Sequence, residues 1–296
     1  MTISDVYTKI AEASIYGNLG LFIGAGFSKA VFESEHSDKG PLFWIELLER
    51  VCKPLGVDWD EVKKESKSCP EIASEICRIY SRDKKVRYEE ATNAMKNEIS
   101  KMTAWYPDDE QREEFSPLLQ GVNAKWIITT NYDLIIESLL MDSGKSLGPN
   151  DSLVLSNMFV PIFHLHGIRT DPNSLIVTNE DYIELFRPNE YRLQKLSLTL
   201  HESTTVMLGY GIGDPNVLTA LDWSNNVYGT NKDRYPQGVI QFVYQDGLPN
   251  DVEIVEITDD KMIVVKTNSI KRALERIKNK VADVREEYER QKKSCG

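Results

Sequence analysis

His166 stands between Leu165 and Gly167, and Asn131 and Asp133 flank Tyr132 in the run Thr129-Thr130-Asn131-Tyr132-Asp133. An imidazole exposed in a crevice can act as a general base. An amide, hydroxyls and a carboxylate within five residues suit the holding of a ribose and a carboxamide. Two glycine runs accompany them, Gly24-Ala25-Gly26-Phe27-Ser28 and Gly209-Tyr210-Gly211-Ile212-Gly213-Asp214. A Gly-x-Gly turn before a helix lets backbone N–H groups approach an anion, and the helix end adds about half a positive charge.

Each feature also has a plain structural explanation. Gly-x-Gly after an apolar run can be no more than a tight turn. Asn131, Asp133, Asp214 or Asn216 can be helix caps, and His166 can be satisfied by backbone at a strand end. His164 lies two residues earlier on the same strand face and competes with His166 for the role of base. Gly167 leaves room beside His166, which favours the latter.

The surrounding pattern decides where these residues stand. Apolar runs at 19–23, 126–130, 160–165, 204–208 and 238–244 read as buried strands, with a short strand at 174–177 and a last one at 261–266. Helical periodicity follows most of them, over 134–141, 179–186 (capped by Asn179), 191–201 and 216–228, with a further helix beginning near Ser28. Strand–turn–helix in this order predicts an α/β fold with a doubly wound, mostly parallel, Rossmann-like sheet. Residues 144–150 read as a loop.

The chain reads as a single domain over 1–296. Within it, 53–118 forms a helical insertion, with helices at 70–80 and 84–102 and a turn at Pro107-Asp108-Asp109. A C-terminal helix spans 268–292. Its Ile270, Leu274, Ile277, Val281, Val284 and Tyr288 form a narrow heptad seam. The seam suits packing on the helix's own domain, and it is also a candidate assembly surface.

Four clusters, Gly24–Ser28, Thr129–Asp133, His164–Gly167 and Gly209–Asp214, each fall just past the carboxyl end of an expected strand. Open α/β sheets bind ligands there, so the four together define one crevice.

Composition bounds the partners. A formal net charge of −11 argues against a nucleic-acid-coating surface. Cys52, Cys69, Cys77 and Cys295 make no C-x-x-C pair, so no zinc site is expected, and reduced scattered cysteines suit a cytoplasmic protein. No apolar run approaches the length of a membrane span, and the N-terminus lacks a signal-peptide pattern.

The ordered motifs Gly24-Ala25-Gly26-Phe27-Ser28, Thr130-Asn131-Tyr132-Asp133, Leu165-His166-Gly167 and Gly209-Tyr210-Gly211-x-Gly-Asp214 resemble those of the sirtuin fold. More closely they resemble the sirtuin-like NADases of bacterial anti-phage defence. The likeness covers about residues 19–228. It implies that Gly24, Ala25, Gly26 and Ser28, with Phe27 beside them, hold the pyrophosphate of NAD+. Asn131, next to Thr130, would position the nicotinamide ribose and the attacking water. Asp133 would face the nicotinamide carboxamide, and His166 would be the base. Gly209, Gly211 and Asp214 would bound the adenosine end.

Protein-deacylating sirtuins carry a zinc module of two C-x-x-C pairs and a Gly-Ile-Pro-Asp-Phe-Arg run, whereas this chain has no such pairs and reads Lys29-Ala30-Val31-Phe32-Glu33. The resemblance therefore implies an NAD+ hydrolase that releases nicotinamide and ADP-ribose, with NAD+ as substrate and no metal. It further implies regulation by homo-oligomerisation or by a separate sensor protein of a defence system, acting in abortive infection through NAD+ depletion. An NAD-dependent deacylase and a non-catalytic nucleotide-sensing module are the alternatives.

Overall fold

The computed structural model describes residues 1–32, 40–65, 67–152, 158–185, 191–211, 238–258 and 262–294. The expected helix at 216–228, Asp214 and Cys295 lie outside them. Among the described residues eight strands form one sheet: β1 (Leu19–Ile23), β2 (Trp126–Thr129), β3 (Gly144–Leu147), β4 (Val160–His164), β5 (Thr204–Leu208), β6 (Val239–Tyr244), β7 (Ile254–Ile257) and β8 (Ile263–Thr267). Their order is β3-β4-β2-β1-β5-β6-β8-β7. All neighbouring pairs run parallel except β7 with β8. This is the mostly parallel α/β arrangement that the strand–turn–helix pattern predicts.

β1 is buried at every residue because helices cover both faces of the sheet. Leu19, Leu21 and Ile23 point into a core shared with α1 (Ile3–Ile15), α6 (Asp109–Val122), α7 (Ile135–Leu140) and α10 (Ile270–Ser294). Phe22 points the other way, with Trp126, Phe163 and Met207, against Leu196 and Leu200 of α9 (Tyr191–Glu202). Gly20 has a steric reason: a Cβ there would lie 1.9 Å from the Trp126 ring.

The sheet's register aligns the site. Ile23 pairs with Thr129 and with Leu208, and Thr129 pairs with His164. One row across β4, β2, β1 and β5 therefore ends at His164, Thr129, Ile23 and Leu208. The four motifs begin at the next residues along each strand. The chain passes from β1 to β2 on one side and later to β5 on the other, so the space between β1 and β5 is the topological switch point.

α2 (Ala25–Val31) begins at Ala25, with Gly24 as its N-cap, and not near Ser28. The glycine run is thus the first turn of the helix itself. α3 (Trp44–Leu55), α4 (Cys69–Lys84) and α5 (Tyr88–Met102) build a second core around Leu48, Ile76 and Met95, which reaches Tyr132, Leu175 and Val177. The helix expected over 84–102 starts at Tyr88 instead, because α4 runs on to Lys84 and ends on Lys85 in the left-handed region, φ 55°. The Pro107-Asp108-Asp109 segment opens α6, where Asp108 and Gln111 form a capping box. α6 packs on the sheet through Phe115, Leu118, Leu119 and Val122, so the span 53–118 is divided between two cores.

Three smaller differences concern strands. Residues 144–147 form edge strand β3 and not a loop, and β7 adds an antiparallel edge with no counterpart in the sequence pattern. Residues 174–177 do not join the sheet. There a 3-10 turn over Pro172–Ser174 precedes an extended segment whose Leu175 and Val177 enter the helical core, while the Ile176 N–H donates to the His166 carbonyl at 2.9 Å.

Along α10, Ile270, Leu274, Ile277 and Val281 are buried against the body of the chain, Val284 packs on the same core, and Tyr288 meets the ring of Tyr16. No helix among the described residues is long and apolar enough to cross a membrane.

Candidate active site

The two glycine motifs pack directly on each other. The Gly24 N–H donates to the Leu208 carbonyl at 3.0 Å, and the Gly26 N–H donates to the Gly209 carbonyl at 2.8 Å. A Cβ on Gly24 would sit 2.7 Å from Gly209 O, and one on Gly26 2.9 Å from Gly209 Cα. Gly209 has φ +60°, and a Cβ there would meet Phe27 N at 2.0 Å. These glycines are needed first for close backbone approach at the switch point. Two of the N–H groups expected to face a phosphate are spent within the protein. Phe27, expected beside the nucleotide, buries its ring fully in the core, 6.4 Å from the ring of Phe115.

Beside this contact opens a cleft of about 520 Å³, lined by Gly26, Lys29, Phe43, Gly209, Gly211 and Tyr244 among others. Lys29 stands at the cleft with its ammonium 2.9 Å from Glu46 and 3.7 Å from the centre of the Phe43 ring. Burial pushes the Glu46 carboxyl up, but the bonds from Lys29 and the Phe43 N–H outweigh it and hold the group below its ordinary range. The sequence reading names neither Lys29 nor Glu46 as a site residue.

The opposite face of α2 carries Ser28, which is fully buried. Asn131 Nδ2 donates to Ser28 Oγ at 3.0 Å, and Ser28 Oγ donates to Asp133 Oδ2 at 3.1 Å. Asp133 Oδ1 accepts the Ile135 N–H at 3.1 Å, so Asp133 also caps α7. Burial pushes the Asp133 carboxyl up to about 6, against the opposing bonds from Ile135 and Ser28. Thr129 is not open to a ribose: its hydroxyl donates to the Ile23 carbonyl and accepts the Asn131 N–H. Thr130 is half-buried at the strand end.

The two histidines have different surroundings. His164 is fully buried, with Nδ1 3.0 Å from the Asn131 carbonyl oxygen and Nε2 2.7 Å from Glu137 Oε1. Both nitrogens are engaged, which removes His164 from the contest for general base. His166 is also buried, not exposed as the sequence suggests. The reason is α8 (Asn179–Leu185), whose Tyr182 sets its hydroxyl 3.5 Å from His166 Nδ1 and its ring edge-on at 5.4 Å, with Trp44 stacked behind.

α8 is held by the helical core. Lys96 on α5 bonds Asp181 at 2.7 Å, while Ser74 and Tyr88 donate to Glu180. The cap of α8 is Thr178, whose hydroxyl accepts the Asp181 N–H. Asn179, expected in that role, donates its N–H to Ser74.

Asn131 and His166 each lie two residues beyond the paired Thr129 and His164 on adjacent strands, so they leave the sheet in step. Adjacent strands are about 4.8 Å apart, so the two residues stand at neighbouring strand ends; both are buried, and neither is among the residues that line the cleft beside Lys29. The cysteines stand elsewhere. Burial pushes the Cys52 thiol up to about 11 and the Cys77 thiol up to about 12. Among the described residues no three His, Cys, Asp or Glu side chains gather as a metal site.

Residues 125–262 match a family model described as a SIR2-like domain. The chain is also 23% identical over 223 residues to the NAD(+) hydrolase ThsA of Bacillus cereus (strain MSX-D12). That match covers 74% of this chain and 42% of the relative, so the chain corresponds to less than half of that protein's length.

Proposed function

We propose that this chain, whose residues 125–262 match a SIR2-like domain, hydrolyses NAD+ to nicotinamide and ADP-ribose in its crevice. The observation that carries the reading is the register row: four motifs leave the sheet together at its switch point, with the Asn131 amide oriented through Ser28 and with His166 beside it. The similarity to a protein named as an NAD(+) hydrolase supports the same reaction.

The chemistry asks little of a general acid. The pyridinium of NAD+ leaves with the electron pair of its bond to the ribose C1′, becoming neutral nicotinamide and leaving an oxocarbenium-like sugar. Water then bonds C1′ and releases a proton, for which His166 is the base. Asn131 Nδ2 is committed to Ser28, which turns the Oδ1 end of the amide toward the ribose and the water. In this proposal Gly24, Ala25, Gly26 and Thr130 surround the diphosphate and its ribose, Ser28 orients Asn131 from behind, Phe27 anchors the turn in the core, and Asp133 backs the nicotinamide end. Gly209, Gly211 and Asp214 bound the adenosine, for which the cleft beside Lys29 has room.

The same reading makes the chain one catalytic domain with a helical insertion. Its work would be NAD+ depletion in anti-phage defence, gated by self-assembly or by a sensor protein. Because α10 uses its heptad seam within the chain, assembly would use other surfaces.

The test is nicotinamide release from NAD+ by wild type, Asn131→Ala and His166→Ala, with and without the sensor protein. We expect turnover by the wild type and a loss of at least ~10²-fold in each variant. NAD+ left intact under every condition, yet bound in calorimetry, would replace hydrolysis with nucleotide sensing. Nicotinamide release only in the presence of an acyl-peptide would point to the deacylase.

A further inference from the structure

His164 makes two bonds whose hydrogens can be counted. A carbonyl oxygen only accepts, so Nδ1, 3.0 Å from Asn131 O, carries a hydrogen. A bare Nε2 lone pair 2.7 Å from a carboxylate would be repulsive, so a second hydrogen lies between Nε2 and Glu137. Although burial opposes both shifts, Glu137 is held below its ordinary value by His164 and Ser146, and His164 above its own by Glu137, so the shared hydrogen rests on the ring and the pair is an imidazolium with its counter-ion. Ser146 on β3 donates to the same Glu137 oxygen at 2.5 Å.

The place of this pair in the sheet gives it a purpose. The Thr129 carbonyl, last in β2, accepts the Leu165 N–H at 2.8 Å. Beyond that bond the backbone ladder stops, and the Asn131 carbonyl two residues on is held by the His164 side chain instead. With its N–H on Thr129 and its amide on Ser28, Asn131 is then fixed at three points.

We propose that His164, anchored by Glu137, is a positioning residue that locks the Asn131 backbone in the orientation hydrolysis requires; the inference rests on the hydrolase reading above. The titratable groups facing the ring are Glu137 on α7 and Asp133 in the turn after β2. Burial pulls the His164 ring down, but the bond and charge of Glu137, helped by the Asn131 carbonyl and Asp133, carry it above its ordinary value. Losing the Nε2 hydrogen lets the remaining one migrate to Glu137's side, and Nδ1 then opposes the Asn131 carbonyl. Activity should therefore fall along an alkaline limb.

The experiment pairs NAD+ turnover with the side-chain ¹⁵N amide signal of Asn131. His164→Ala is expected to lower kcat by about 10²-fold, with KM within about threefold. His164→Asn, whose amide stands where Nδ1 stood, should recover most of that loss. Glu137→Gln can donate to a neutral ring, so it should abolish the alkaline limb while keeping the Asn131 signal in place. Unchanged kcat and an unmoved Asn131 signal in folded His164→Ala would overturn the proposal, as would an alkaline limb that persists in Glu137→Gln. If His164→Ala does not fold, the Asn and Gln variants decide alone. If the wild type releases no nicotinamide, the hydrolase reading fails, while the amide signal across the same variants still reports the positioning.

Discussion

Asn131 and Ser28 are joined across the site by a 3.0 Å bond from the asparagine amide to the serine hydroxyl, and the hydroxyl hydrogen is committed to Asp133. This sequence of donors fixes which end of the Asn131 amide is spent. Ser28→Ala would break it at the middle, leaving Asp133 Oδ2 buried without its donor and the amide able to turn over. We expect kcat to drop at least ~10-fold with little change in KM, since the amide acts mainly in the transition state. The lost partner should cost about 1–3 kcal/mol of stability. Steady-state kinetics and urea unfolding read both, and a Ser28→Ala enzyme with wild-type kcat would show that the amide is oriented by other means.

Protonation of Asp133 acts on the same bond. Its carboxyl is raised to about 6 in the fold, against 3.8 ordinarily, so between those values the folded state binds more protons than the unfolded one. Stability from this group is therefore full below about pH 3.8 and declines as pH rises to about 6. The shift of roughly two units corresponds to about 3 kcal/mol. Asp133→Asn removes the titration, so urea unfolding should find the variant gaining on the wild type from pH 4 to 7. Parallel stability curves for the two proteins would contradict this. Below pH 6 a neutral Asp133 can donate to Ser28 and reverse the chain of bonds, so kcat should also fall on the acid side.

Gly209 bears on fold and site together. An alanine there would hold φ +60° and place Cβ 2.0 Å from Phe27 N, so the start of α2 would have to retreat from β5. Overpacking and left-handed strain together suggest a loss of about 3 kcal/mol or more. Gly211, whose Cβ would meet nothing within 4 Å among the described residues, should accept alanine with little change in Tm. Equal melting temperatures for the Gly209 and Gly211 alanine variants would show that the glycine contact is not needed for folding.

Legibility in the sequence followed burial. β1, β2, β4 and β5 are covered on both faces and read as continuous apolar runs, and their ends marked the site. β3, which reads Gly-Lys-Ser-Leu, carries little apolar signal, and β7, which reads Ile-Val-Glu-Ile, is four residues long and largely exposed at the antiparallel edge. α6 opens on Asp-Glu-Gln-Arg-Glu-Glu and holds Pro117, so its buried Phe115, Leu119 and Val122 look like fragments. Within the site, Asn131, Asp133 and Ser28 were visible because each sits in a compact motif. Glu137 and His164 are 27 residues apart, and Tyr182 meets His166 from a separate helix. No local spacing encodes such pairs; the parallel register and the packing of α8 create them.

The same distinction bears on α10, whose heptad seam alone does not say what covers it. Leu274 and Ile277 are fully buried, in a cluster shared with α1 and α6. Placing a carboxylate at 274 would put an unpaired charge in that core, where its desolvation is unfavourable by several kcal/mol. Leu274→Asp should therefore lower Tm steeply or prevent folding. Exchanging Arg285, a residue exposed on the same helix, for Glu should change Tm little. Size-exclusion chromatography with light scattering, run beside thermal melts, separates the outcomes. A Leu274→Asp protein that keeps its Tm and loses only assembled mass would move the seam to an interface between chains.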